Sequence, residues 1–526
     1  MSKRFLYTIA FTSGMTTLAI ELSASRLLGN VFGNSNLVWA NVIGLMLLYL
    51  TVGYFAGGRL ADKMPRAAVM LQIILWATFL SALIPLVGRP IITRAASAVF
   101  GAEAALALGS FFVILVLFSV PVTLLGMVSP FVIRLAVTDV ETSGRIAGQV
   151  YAISTFGSLL GTFLPVLITI PQIGTARTFL LFAGLLFMIA FIALLKVNRR
   201  RALLYLPMPI VVAVLAYAAL KGPLRQPAAD ARLRYDGESA YNYIQVQEDA
   251  AGNRYLYLNE GQGVHSQWHE TEIFYGGTWD YFLAAPYFNE PPFRADEVAS
   301  LLLIGLAAGT IPRQHIEIYG DIPMVGIELD PAILAVGAEF FDMNETSMPS
   351  LSTQVGDGRF LLNQLDRQFS VIGIDAYRPP YIPWHLTTVE FFEEVKARLT
   401  EDGVVAVNVG RTDTDRRLVD ALSSTLLQVY PSVHALDVPQ SFNTILVASR
   451  QPTEADNIRA NLAFRVDSVD ARLYDVLADA AGALAPLAYS EIIFTDDLAP
   501  VENLVDSIVL DFLLAGRAAE FQLADE

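Results

Sequence analysis

Cysteine is absent from the 526-residue chain. Disulfides, thiolate metal sites, iron–sulfur clusters and cysteine nucleophiles are therefore excluded. Charge is scarce too, at 16% of residues, whereas apolar residues reach 54%; soluble proteins carry roughly 25% charged residues. That balance excludes a disordered chain and argues against a wholly soluble one. Basic residues are outnumbered, and the net charge of −16 speaks against a nucleic-acid partner, which would need a basic face. The five histidines are scattered, and His265, His315 and His434 show no ligand spacing. No metal is expected.

What charge there is divides sharply. Residues 1–222 carry a balance of +11, and residues 223–526 one of −27. A boundary near Leu224 ends a transmembrane helical domain (1–222). We divide the remainder into a linker and N-terminal β-hairpin region (223–298) and a Rossmann-like domain (299–526).

The first part is a series of apolar runs, each long enough for about 20 residues to span a bilayer as a helix. Seven spans are expected, at 5–25, 36–57, 67–88, 107–136, 147–170, 176–196 and 202–220. The first should stay in place as a span, because no small-residue cleavage site follows it and six more spans come after. The fourth contains Pro121 and Pro130 and should be kinked. Lys and Arg concentrate in alternate loops, with Lys63 and Arg200 among them, and this asymmetry puts those loops in the cytoplasm. Seven spans then place residues 223–526 outside the cytoplasm, in a multi-pass protein of the cell membrane with the lipid bilayer as a partner. Glu21 lies at membrane depth, where a charge needs a partner or a cavity. Pairing with Arg26 and binding of a cationic solute are both open. The Gly157-x-x-x-Gly161 spacing would let two helices pack closely.

The period changes after the boundary. Tyr241–Gln247 and Arg254–Leu258 alternate about a turn at Ala251-Gly252-Asn253, which signals a β-hairpin. Short apolar strands then alternate with helical stretches, at 299–306, 324–329, 371–375, 404–409 and 444–448. The pattern predicts a largely parallel sheet with helices on both faces, binding ligands beyond the carboxyl ends of its strands. Gly305 and Gly309 follow the first strand, where glycine lets a backbone approach a ligand. Glu328 and Asp330 end the second, where an acidic residue can hold ribose hydroxyls. Asp357 and Gly358, then Asp375, come further on. Together they read as a nucleoside site. A phosphate-binding loop is missing, which favours S-adenosylmethionine-type cofactors over NAD or ATP.

Residues 239–450 resemble spermidine synthase, the polyamine aminopropyltransferase family with a methyltransferase-like fold. Trp268-His269-Glu270 is similar to the family's Tyr-His/Gln-Glu, and Gly305-Leu-Ala-Ala-Gly309 to its Gly-Gly-Gly-Asp-Gly. Glu328-Leu-Asp330, Gly356-Asp357-Gly358 and Asp375 keep the family's order, apart from a longer stretch at 271–297. The helices ahead of the domain, His385-Leu-Thr-Thr and the segment from Thr495 to Glu502 resemble the family's membrane-bound branch. The resemblance implies decarboxylated S-adenosylmethionine as co-substrate, an amine acceptor such as putrescine, and methylthioadenosine as product. It implies Asp375 as proton acceptor, Glu328 on the ribose and Asp357 on the adenine. Asn242 would stand for a cofactor-contacting Gln, and Trp268, His269 and Glu270 would orient the amine. A homodimer is compatible with the family.

Two positions depart from the pattern. Ala308 stands where the family's glycine loop has an Asp that holds the aminopropyl amine, and Arg378 where its second catalytic-loop Asp lies. Asp496, Asp497 and Glu502 are candidates for replacement charge. Three readings stay open: an aminopropyltransferase, an S-adenosylmethionine-dependent methyltransferase, and a non-catalytic transporter or sensor that binds a nucleoside or polyamine. The extracytoplasmic placement favours the third, because decarboxylated S-adenosylmethionine is made inside cells.

Overall fold

A computed structural model describes residues 1–32, 36–98, 103–223, 225–259, 263–377, 382–464 and 470–514. Its contacts divide the chain into two compact units. The first holds Met1–Phe100, Ala104–Gln226 and Asp236–Tyr243; the second holds Gly101–Glu103, Pro227–Tyr235 and Ile244–Glu526.

In the first unit, seven helical stretches among the described residues are long and apolar enough to cross a membrane. They are Lys3–Gly29, Val38–Lys63, Ala67–Gly88, Gly109–Ala136, Val140–Ile173, Thr175–Val197 and Arg199–Ala219, one for each expected span. The fourth breaks as its prolines require. Pro121 lies inside the helix Glu103–Gly126, and a new helix, Val128–Ala136, starts after Met127. Pro130 falls in that helix's first turn, where a missing N–H leaves nothing unsatisfied. The Gly157 and Gly161 spacing does bring two helices together. A Cβ at either would stand 2.0 Å from a carbonyl oxygen of the first span, Phe11 or Met15. Arg26 donates to the carbonyls of Ser239 and Tyr241, each at 2.7 Å. Glu238 accepts from the N–H and hydroxyl of Thr175 at 2.8 and 2.9 Å, closing the start of the sixth span.

The second unit carries two sheets. The smaller has four strands in the order β1-β2-β3-β4: β1 Arg232–Glu238, β2 Tyr243–Glu248, β3 Arg254–Leu258 and β4 Val264–Trp268. Its β2–β3 hairpin is the expected one. Asp249 fixes the turn by accepting from the N–H groups of Ala251 and Asn253, each at 2.9 Å.

The larger sheet has eight strands in the order β12-β10-β11-β9-β8-β5-β6-β7. These are β5 Leu301–Ile304, β6 Met324–Glu328, β7 Leu351–Val355, β8 Phe369–Ile374, β9 Leu399–Gly410, β10 Ser432–Asp437, β11 Asn443–Ser449 and β12 Leu484–Ala485. Strands β5 to β9 run parallel, and β11 is antiparallel to both β9 and β10. The five strands expected from the sequence are β5, β6, β8, β9 and β11. Strand β7 reads Leu-Ser-Thr-Gln-Val, lies at the edge and exposes Ser352, Thr353 and Val355, so it lacks the apolar run that marks a buried strand. Side chains bury on both faces of the sheet: Ile304, Ile372 and Phe391 on one, and Leu303, Val371 and Phe282 on the other. The chain leaves β5 for β6 on one side and returns to β8 on the other. The strand order thus reverses between β5 and β8, and the crevice beyond their carboxyl ends is where such sheets bind ligands.

Candidate active site

The loop after β5 turns on three left-handed residues, Gly305, Ala307 and Gly309, at φ of 89°, 48° and 90°. Gly305 must be glycine for a second reason. A Cβ there would stand 2.5 Å from the carbonyl oxygen of Asp375 and 2.6 Å from the N–H nitrogen of Ala376. The backbones leaving β5 and β8 therefore touch, and they bring the glycine loop and Asp375 to one point. Gly309 lies against Met343, whose sulfur would be 2.9 Å from a Cβ.

Glu328 closes the loop from the β6 side. Its Oε2 accepts from the N–H of Ala307 at 3.0 Å, and its Oε1 from that of Asp330 at 3.1 Å. Burial raises its pKa, and those N–H donors work in the opposite direction. Each carboxylate oxygen keeps a further lone pair for a ribose hydroxyl. Asp330 is fully buried and caps the helix Pro331–Phe340, accepting from Ala332 N–H at 3.0 Å. It is a structural cap.

Asp357 caps the short helix Gly358–Leu362 through Phe360 N–H at 2.9 Å. Its other oxygen meets His385 Nε2 at 2.9 Å. Gly358 packs on the end of β5, where a Cβ would come within 2.4 Å of Ile304 Cγ2. Its lack of a side chain thus serves helix-to-strand packing.

Asp375 follows β8 and is half-buried. Asn408 Nδ2, on β9, donates to its Oδ1 at 2.8 Å, and the Trp279 indole donates to the same carboxyl. Burial outweighs both donors and pushes the carboxyl up to about 7. A carboxyl at that value is poised as a general base near neutral pH.

The triplet Trp268-His269-Glu270 stands at the end of β4. The Trp268 ring is buried with Ile244, Leu256 and Val336. The guanidinium groups of Arg254 and Arg313 stand 4.2 and 5.2 Å from its ring centroid. Both nitrogens of His269 serve the local turn: Nδ1 accepts from Glu272 N–H at 3.0 Å, and Nε2 meets the Ala251 carbonyl at 3.2 Å. Glu270 is exposed. Strand β4 is nonetheless tied to the glycine loop, because Ala308 N–H donates to Ser266 Oγ at 2.9 Å and Thr310 pairs with both polar groups of the Gln267 backbone. Asn242 belongs with the first unit, where it closes a turn with Ser239. Asp496 is engaged by Arg359 at 2.7 Å and by Thr388 at 2.7 Å, which removes it as replacement charge for an amine. Arg378 lies outside the described residues.

The matching region covers Glu328, Asp357, Asp375 and Asn408 and begins after the glycine loop. Residues 316–448 match the family model described as the spermine/spermidine synthase domain. The chain is 31% identical over 301 residues to the "Probable polyamine aminopropyl transferase" of Bifidobacterium longum (strain NCC 2705), covering 54% of this chain and 65% of that protein. It is 30% identical over 172 residues to the "Polyamine aminopropyltransferase" of Vibrio vulnificus (strain CMCP6), covering 32% of this chain and 53% of that protein. The chain thus spans less than two thirds of either relative. The crystal structure of a probable spermidine synthase from Corynebacterium glutamicum ATCC 13032 is similar with a TM-score of 0.38 and 20% identity, over 51% of this chain and 99% of that one.

Around this site, sequence reasoning missed Trp279, Asn408 and Asn443. Trp279 comes from the longer stretch at 271–297. It is positioned by its neighbour Asp280, a buried carboxylate bound by Gln314 Nε2 at 2.6 Å and by Gly276 N–H at 2.8 Å. The two asparagines carried a signal, since Asn is depleted in strands and each stands next to an apolar stretch, Val404–Val407 or Ile445–Ala448.

Proposed function

We propose that the chain is a membrane-anchored polyamine aminopropyltransferase. It would move the aminopropyl group of decarboxylated S-adenosylmethionine to a diamine such as putrescine. The observation that carries the reading is the close approach of the Asp375 backbone, at the end of β8, to Gly305 in the loop that Glu328 closes from the β6 side. The amine nitrogen forms a bond to the carbon beside the sulfonium, the carbon–sulfur bond breaks toward sulfur, and methylthioadenosine leaves. The proton lost by the attacking amine goes to Asp375, which must therefore be ionised at the start. Glu328 holds the ribose and Asp357 receives the adenine amino group. Gly305, Gly309 and Gly358 keep the floor of the crevice free of side chains. Glu270 faces the amine, while Trp268 and His269 hold the loop that presents it. The seven apolar helices anchor the chain in a bilayer, and the loop charges set the synthase domain outside the cytoplasm.

Incubating the purified protein with putrescine and either decarboxylated or intact S-adenosylmethionine tests the reading. Methylthioadenosine is the expected sulfur product. S-Adenosylhomocysteine would mean methyl transfer, and neither product would mean a binding protein. A C-terminal reporter that is active only in the cytoplasm should stay silent.

A further inference from the structure

Asp375 stands at the end of a chain of side chains that crosses three strands. Ile374 on β8 pairs with Val407 on β9, so Asp375, one residue on, comes beside Asn408. On the next pair of strands Asn408 faces Ile445, and Gly410 faces Asn443. Asn408 and Asn443 therefore share one face of the sheet as diagonal neighbours, a separation that two amides can bridge. They do so: Asn443 Nδ2 donates to Asn408 Oδ1 at 2.7 Å, and Asn408 Nδ2 donates to Asp375 Oδ1 at 2.8 Å. At the far end Ser441 Oγ donates to Asn443 Oδ1 at 2.8 Å.

An amide accepts at one end and donates at the other. With its oxygen taken by Asn443, the Asn408 amide can present only N–H to Asp375. The whole chain is polarised one way, from the Ser441 hydroxyl to the carboxylate. Apolar side chains would suit these strand positions better than two amides if packing were the sole demand. We propose that Asn443 is a positioning residue for Asp375: acting through Asn408, it locks an N–H donor onto the carboxylate and fixes which oxygen faces the crevice. The inference rests on the reading of Asp375 as the proton acceptor. Among the described residues, the groups that act on this carboxylate are Asn408 from β9 and the Trp279 indole from the segment before the helix Asp280–Ala284, and neither titrates. The loss of a fixed donor should therefore be visible in the ionisation of Asp375 itself.

Asn443→Asp and Asn443→Leu separate this role from packing. Asp keeps the shape of Asn but, once ionised, only accepts. It must turn the Asn408 amide round and point its oxygen at Asp375. Leu merely frees Asn408. We expect turnover to fall by about tenfold in Asn443→Leu and about a hundredfold in Asn443→Asp, within the range of general-base contributions, with the KM for putrescine little changed. The acid limb of the pH–rate profile should move up by about one unit in Asn443→Asp, because the anion has lost a donor. A role in packing alone would leave the acid limb of both variants where it lies in the wild type. Infrared titration of carboxyl-labelled aspartate, with the Asp375 band identified by its loss in Asp375→Asn, reads the same shift without turnover. Ser441→Ala, which leaves both strand positions intact, should give a smaller shift of the same sign should either Asn443 variant fail to fold. If the wild type makes no methylthioadenosine, the transferase reading falls while the band position still decides the relay. An Asp375 midpoint unmoved in Asn443→Asp and in Ser441→Ala overturns the relay, whatever the activity.

Discussion

Gly305 and Asp375 meet through their backbones, so closely that a Cβ on Gly305 would lie 2.5 Å from the Asp375 carbonyl oxygen. The contact sits where the sheet reverses its strand order, and it makes one site of two loops that lie 70 residues apart in the chain. Gly305→Ala should therefore do two kinds of damage. A left-handed φ costs a non-glycine residue roughly 1–2 kcal/mol. The clash must then push the β5 and β8 loops apart. Calorimetry should show methylthioadenosine affinity lost, together with a lower unfolding midpoint in detergent. A midpoint and an affinity equal to wild type would show that the two loops separate freely.

Glu328 supports the loop and, on the proposed reading, binds the ribose. The two roles can be separated. Glu328→Gln keeps an acceptor for Ala307 N–H but removes the charge. Losing a charged hydrogen bond costs about 1.5–3 kcal/mol, or roughly 10- to 150-fold in affinity. Glu328→Ala should weaken methylthioadenosine by at least that factor and Glu328→Gln by less. Unchanged binding in Glu328→Ala would remove this residue from the nucleoside site.

In the helical unit, the first and fifth spans pack through Gly157 and Gly161, whose Cα atoms face the carbonyls of Phe11 and Met15. Close backbone approach is what small residues provide between helices in a bilayer, where no hydrophobic drive assists them. Gly161→Leu should force the pair apart and lower the detergent unfolding midpoint by several degrees, an effect of more than about 1 kcal/mol. A Cβ on Gly144 or Gly148 would meet nothing within 4 Å, so Gly148→Leu should leave the midpoint close to wild type. Equal effects from the two substitutions would mean that the close approach contributes nothing.

Features written as long or periodic runs were legible in the sequence. The seven spans, the break at the prolines, the β2–β3 hairpin and the five apolar strands all follow from apolar length or alternation. Strand β7 was not legible, because an edge strand with exposed Ser and Thr has no apolar run. Individual site residues were legible where a strand end and a residue type coincide, as at Gly305 and Asp375. The hydrogen-bond partners of His269 and Asp357 were not, because they come from elsewhere in the chain: Ala251 reaches His269 across the hairpin turn, and His385 reaches Asp357 from 28 residues away. Trp279 was hidden for a related reason. Its stretch matches nothing in the family's pattern, and only the anchoring of Asp280 brings the indole to Asp375.

Asp375 itself makes two predictions of opposite sign. As a base it must be ionised, and burial holds its carboxyl near 7. Turnover should therefore rise with pH through about 7 and fall off below. Asp375→Asn keeps the shape and the contact with Asn408 but cannot take the proton, so turnover should drop by about two orders of magnitude or more. Methylthioadenosine affinity should change little. Stability moves the other way. The folded protein keeps this proton up to about pH 7, whereas an unfolded Asp releases it near 4. Between those values the unfolded state binds fewer protons, so the contribution of Asp375 to stability is present below about pH 4 and is lost as pH rises toward 7. Asn carries no such charge. The unfolding midpoint of Asp375→Asn relative to wild type should thus rise from pH 4 to pH 7, and the substitution that abolishes turnover should stabilise the fold at neutral pH. Full activity in Asp375→Asn would end its role as the base, and a midpoint difference that does not change with pH would show that the wild-type carboxyl is already ionised at pH 4.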